Sequence, residues 1–303
     1  MFDHPKLANP DFHTTLVSWF DGGLHFFKPV PEGKDGWELL DLYFFTYIVI
    51  AFMALVLALI WQKRGSFKAS RRGVFDAFIM AVVGGAFGAR LGEVIFYHPQ
   101  YFIENPRMIV EGTSGYSVHG AIMGVMLAFF VWSGWAKLPR RHVFDQLGIV
   151  LAAGTMIGRL TNFYIGELPG KPASADLPWA VRYTLDGPPL HPVTLYQALG
   201  DGLLLLIVLT VIRCKAKNVG TLMASTMIGY GLSRTILEFF REPDAGIDYP
   251  LFGLTVGQLL SLTLAICGAI TLWYNRRHPL PIAAIGTNQG SGVRGQGSAR
   301  LPS

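Results

Sequence analysis

Apolar runs separated by short polar breaks dominate the chain, at residues 42–61, 74–97, 118–136, 143–166, 193–212, 220–240 and 251–274. A helix needs about 20 mostly apolar residues to cross the roughly 30 Å hydrocarbon layer, so each run is read as one crossing. The pattern predicts an all-α, polytopic membrane protein with seven transmembrane helices over residues 42–274, an N-terminal arm at 1–41 and a basic tail at 275–303. The first and last runs hold no charged residue, whereas each of the others carries ionisable groups. Charge inside a membrane is costly, so function is to be sought in those middle runs.

The two ends differ in character. Residues 1–40 lack the order of a cleavable signal, a basic region followed by an apolar run. Residues 12–20, with Trp19 and Phe20, are expected to lie on the outer surface as an interfacial helix. Residues 286–303 are rich in Gly, Ser and Arg and are expected to be a disordered cytoplasmic tail.

Composition agrees with the span pattern: 51% of the 303 residues are hydrophobic and 15% charged, against about a quarter charged in soluble domains. Two cysteines, Cys214 and Cys267, exclude a disulfide scaffold and a CxxC metal knuckle. No metal or soluble cofactor is expected. The net charge of +5 is explained by topology rather than by nucleic acid. Lys63, Arg64, Lys68, Arg71, Arg72, Lys137, Arg140, Arg141, Arg213, Lys215 and Lys217 fall in alternate loops, on the same face as the arginines of the tail. The opposite face has fewer cations, and the positive-inside rule then predicts an external N-terminus and a cytoplasmic C-terminus.

Three arginines stand out. Arg90, Arg159 and Arg234 lie in the second, fourth and sixth runs, all crossing in the same direction. At 1.5 Å per residue each sits about 21–24 Å from the inner boundary, in the outer leaflet. Glu93 lies three residues from Arg90 and Glu238 four from Arg234, on the same helical faces, while Arg159 has no such acid. A surplus guanidinium in lipid calls for an anion, and a phospholipid phosphate is the nearest candidate. The planar guanidinium grips phosphate through two parallel hydrogen bonds, which lysine cannot match. His119 opens the third run at a similar depth; an imidazole kept neutral by nearby cations can accept a proton near neutral pH. Gly120, Ala121 and Gly124 beside it permit close approach of another helix or a ligand.

Two segments carry a resemblance. GRLTNFYIGELPG at 158–170 and YGLSRTILEFFREPD at 230–244 are similar to signatures of the phosphatidylglycerol:prolipoprotein diacylglyceryl transferase family. GARLG at 88–92, SVHG at 117–120 and HP at 191–192 support them. The resemblance spans about residues 42–274. It implies a seven-helix enzyme of the bacterial inner membrane. Such an enzyme moves the diacylglyceryl group of phosphatidylglycerol to the lipobox cysteine thiol of preprolipoproteins, forming a thioether and releasing glycerol 1-phosphate. The implied catalytic residues are His119, Arg159 and Arg234, and the implied substrate-binding residues are Tyr43, Arg90, Asn162, Glu167, Gly170, Tyr230 and Glu238. The sequence departs from the family pattern at Phe44, Ala121, Ile165, Pro169, Lys171, Val193, Thr194 and Gln197, which bears on substrate preference more than on reaction class. A membrane transporter or a lipid-binding protein without transferase activity is the competing class, since intramembrane charges also line transport paths.

Overall fold

The computed structural model describes residues 16–20, 23–27, 37–97, 99–111, 116–182, 187–242 and 253–285. The expected disordered tail at 286–303 lies outside the described residues, as do the side chains of Tyr43 and His119. The first described elements are two antiparallel strands, β1 (Leu16–Phe20) and β2 (Gly23–Phe27). This corrects the interfacial helix expected at 12–20 over its described part: Asp21 and Gly22 between two short apolar stretches form the sequence of a tight hairpin turn.

Every other described segment of regular structure is helical. The helices are α1 (Trp37–Lys63), α2 (Arg71–Gly92), α3 (Pro99–Glu104), α4 (Met108–Glu111), α5 (Val118–Trp135), α6 (Arg140–Ile165), α7 (Val193–Gln197), α8 (Leu205–Lys215), α9 (Thr221–Leu237) and α10 (Val256–Arg277). A π-helical turn, Glu93–Tyr97, extends α2, and a second π-helical stretch, Ala198–Leu204, fuses α7 to α8. Side-chain caps set several starts. Ser70 accepts from the Gly73 N–H, Ser117 from the Gly120 N–H, and Thr255 with Gln258 closes a capping box.

Five helical segments among the described residues are long and apolar enough to cross a membrane: Phe45–Lys63, Arg71–Ile95, Arg140–Ile165, Val193–Lys215 and Val256–Arg277. The third and sixth expected crossings are helices of 18 and 17 residues, α5 and α9. At 1.5 Å per residue they reach roughly 26 Å, a little less than the hydrocarbon layer. Phe52, Phe87, Leu127 and Leu260 are each more than 60% exposed, as befits side chains that meet lipid rather than water.

The chain forms two compact units, Met1–Met53 with Leu147–Pro279, and Ala54–Gln146 with Leu280–Ser303. In the first unit Ile50 of α1 packs against Gly154 of α6, and the Thr46 and Thr161 hydroxyls lie 3.0 Å apart. Gly148 of α6 meets Thr226 of α9, and Gly231 of α9 meets Ser261 and Ala265 of α10. The Gln258 amide donates to the Thr235 carbonyl at 3.2 Å, and the Asn275 amide to the Gly220 carbonyl at 2.9 Å. In the second unit Gly84, Gly88 and Gly92 of α2 form a stripe against Gly120, Gly124 and Ala128 of α5. Small side chains at this spacing bring two backbones together, as expected from Gly120 and Gly124.

Candidate active site

Helix α6 carries Arg159 near its C-terminal end, and Asn162 follows one turn later on the same face. The Arg159 Nη1 donates to Asn162 Oδ1 at 3.4 Å, and Asn162 Nδ2 donates to Glu167 Oε2 at 3.3 Å. The chain can reach back this way because it turns sharply after Ile165. Gly166 has φ +84° and Leu168 φ +56°, and the Gly166 and Glu167 N–H groups both donate to the Asn162 carbonyl. Left-handed backbone at the first of these positions suits glycine.

Helix α9 supplies the second guanidinium. Arg234 is buried and pairs with Glu238 one turn on, Nη2 to Oε2 at 2.8 Å. The other oxygen of Glu238 takes Arg241 Nη1 at 3.3 Å. Glu238 is thus held between two arginines, and Arg234 Nη1 is buried with no hydrogen-bond acceptor among the described residues. Tyr230, one turn before Arg234, and Arg234 itself are within electrostatic reach of Arg159. The structure therefore brings together Arg159, Asn162, Glu167, Tyr230, Arg234 and Glu238.

Gly170, one of the implied substrate-binding residues, sits where two backbones cross. It is bridged to Arg241, and any side chain on it would run into the His191 carbonyl. Close approach of two backbones, rather than an unusual φ, requires glycine here. The crossing is tied by the Lys171 N–H to the Phe240 carbonyl at 2.9 Å and the His191 N–H to the Lys171 carbonyl at 3.0 Å. Beside it the Trp179 indole donates to the Tyr196 hydroxyl at 2.8 Å, and the His191 and Phe240 rings stand 5.2 Å apart. The signature loop after α6 is thereby fastened to the segment after α9.

Sequence reasoning passed over two charged residues in this unit. Arg241, part of the segment at 230–244 but given no role there, braces Glu238. Asp201 lies in the π-helical stretch, fully buried, with the Ser233 hydroxyl facing it and Arg234 and Arg159 within electrostatic reach. Its signal was a lone aspartate in the middle of the run at 193–212.

Arg90 belongs to the second unit. It lies near the C-terminal end of α2, donates to the Ile109 carbonyl at 2.9 Å and also to the Met108 carbonyl. Its guanidinium stands 5.1 Å from the Phe102 ring and 5.8 Å from that of Tyr116. His119 occupies the first turn of α5, whose start is joined to that end of α2 by the Ser117 N–H on the Ala89 carbonyl at 3.0 Å.

Two guanidiniums from different helices, one part-exposed and one with an unused N–H group, have the chemistry to hold a phosphate-like anion. Comparison with known proteins points the same way. The family model described as prolipoprotein diacylglyceryl transferase matches residues 37–274. A phosphatidylglycerol–prolipoprotein diacylglyceryl transferase of Gluconobacter oxydans is 36% identical over 247 residues, covering 80% of this chain and 90% of the relative. Proteins of the same name from Rhodospirillum rubrum and Idiomarina loihiensis are 36% and 35% identical, covering 76% and 78% of this chain and 88% and 89% of those relatives.

Proposed function

The chain belongs to the prolipoprotein diacylglyceryl transferase family, and on that premise we propose that it moves the diacylglyceryl group of phosphatidylglycerol to the lipobox cysteine thiol of preprolipoproteins. The observation that carries this reading is that Arg159 and Arg234, from two helices of one unit, lie within electrostatic reach of each other. The substrate phosphodiester bears one negative charge. As the thiolate sulfur attacks the diacylglyceryl carbon that bears the phosphate ester, a C–S bond forms, the bond from that carbon to the ester oxygen breaks, and glycerol 1-phosphate leaves with a second negative charge. Cations fixed where that charge develops bind the transition state more tightly than the ground state. Asn162 and Glu167 orient Arg159, while Glu238 orients Arg234. Tyr230 and Tyr43 offer hydroxyls to phosphate or glycerol oxygens, and Arg90 adds a further cation for the anionic headgroup. Gly170 keeps the signature loop in place. His119 takes the thiol proton: free cysteine has a pKa of about 8.5, so a base raises the thiolate fraction at neutral pH.

The proposal includes seven crossings of the bacterial inner membrane, an external N-terminus and a cytoplasmic C-terminus, with the site facing the outer leaflet. Mass spectrometry of a lipobox peptide incubated with purified protein and phosphatidylglycerol tests the reaction. The expected products are a thioether-linked peptide and glycerol phosphate. Lipid binding with neither product would indicate a lipid-binding protein, and lipid movement across vesicles a transporter.

A further inference from the structure

Asp201 stands at the middle of the π-helical stretch Ala198–Leu204 with no measurable exposure. Neither of its carboxylate oxygens has a donor in full hydrogen-bonding geometry among the described residues. π-Helical insertions change the direction in which a side chain leaves the helix and recur at functional sites. Here two glycines seat the stretch against both arginine-bearing helices. A side chain on Gly202 would stand 2.6 Å from Met156 Cβ of α6, three residues before Arg159. A side chain on Gly200 would stand 3.0 Å from Ser233 Oγ and 2.9 Å from Leu237 of α9, on either side of Arg234 in sequence. Asp201 is thus carried on the element packed against both α6 and α9, within electrostatic reach of both guanidiniums.

A carboxylate in such surroundings is costly unless cations compensate it, and two guanidiniums in one low-dielectric site repel unless an anion separates them. We propose that Asp201 is a positioning residue, the buried counter-charge that holds the Arg159 and Arg234 guanidiniums together for an anionic phosphate. The inference rests on the transferase reading for its substrate, but not for its physics.

Kinetics of Asp201→Asn and Asp201→Glu with phosphatidylglycerol and a lipobox peptide test it. Asp201→Asn is expected to lower kcat at least tenfold while KM for the lipid falls, because an overcharged arginine pair binds phosphate more tightly in a less productive geometry. Asp201→Glu, which keeps the charge, is expected to recover at least half of the lost kcat. A kcat within twofold of the parent for Asp201→Asn, a KM that fails to fall, or no recovery in Asp201→Glu overturns the proposal. If Asp201→Asn cannot be purified folded, the Arg159→Gln/Asp201→Asn double variant decides: a folded, monodisperse protein supports charge balance, and failure to recover one overturns it. Should the parent protein make no thioether, the transferase reading fails and the counter-charge is read separately. The rise in unfolding temperature on adding phosphatidylglycerol, relative to phosphatidylcholine, is then expected to be larger in Asp201→Asn than in the parent. An equal or smaller rise overturns it.

Discussion

Arg159 is the residue where geometry and charge can be separated. Its Nη1 is engaged by Asn162 at 3.4 Å, and a planar fork held from one side can present its remaining N–H groups to phosphate as a pair. Lysine keeps the charge but offers a single point. Arg159→Lys is therefore expected to lower kcat/KM roughly a hundredfold, the loss typical of one removed transition-state donor, while the protein still inserts and purifies as a folded species. Full turnover in that variant would remove the bidentate role. His119→Gln separates a base from an anchor. If the imidazole takes the thiol proton, the variant is most impaired at neutral pH and approaches the parent above the thiol pKa, where the substrate ionises unaided. A deficit that stays constant across a pH 6.5–9.5 rate profile identifies a positioning role instead. The Arg234–Glu238 pair and the placing of Asn162 one turn after Arg159 were legible because local spacing reveals a helix face, whereas Glu167 entered only through the resemblance of the segment at 158–170 to a family signature. Asp201 was not legible, because its partners come from other helices.

Local spacing also explains which elements were legible. The seven apolar runs each correspond to helix in the structure, but α7 and α8 are joined through π-helical Ala198–Leu204. A 3.6-residue period carried through that stretch assigns Asp201 to the wrong face. The strands at 16–20 and 23–27 depart from the expected helix for the opposite reason: short apolar stretches suit either structure, and the Asp-Gly pair between them in the sequence favours a hairpin. The seam between α2 and α5 is a case in which composition and packing agree. A methyl group added at Gly88 would collide with the Gly120 carbonyl and stand 2.8 Å from the Gly124 Cα, whereas Gly134, also on α5, has nothing within 4 Å. Both are helical, so propensity favours alanine at each by about 0.5–1 kcal/mol. Overpacking costs about 1–3 kcal/mol and reverses the sign at Gly88. Thermal unfolding in detergent is expected to show Gly88→Ala below the parent and Gly134→Ala at or above it. Equal shifts would mean that the two helices separate at low cost.

For the whole molecule, everything about substrate access depends on which side of the membrane receives the loop after α6. Helix α6 delivers Arg159 towards the 166–192 loop, and Val193–Lys215 then returns the chain through 23 residues, roughly 34 Å of helix. That length suffices for a full crossing, so the proposed topology puts Ala175 in the loop and Cys214 at the far end of α8 on opposite sides. In the proposed topology fifteen of the 25 Lys and Arg residues fall on the side of Cys214 or in the tail that follows the last crossing, and the positive-inside rule then predicts a cytoplasmic Cys214. Cys214 and Cys267 are both exposed thiols, and neither is required if the reacting sulfur belongs to the substrate, so Cys267→Ser is expected to leave activity unchanged. In that background, Cys214 is expected to resist a membrane-impermeant maleimide in intact spheroplasts and to react after permeabilisation. Ala175→Cys, made together with Cys214→Ser, is expected to react in both. The reverse pattern would turn Arg159 and Arg234 towards the cytoplasm, away from exported preprolipoproteins, and the proposed reaction would lose its substrate. Labelling of both positions without permeabilisation would show that Val193–Lys215 does not cross.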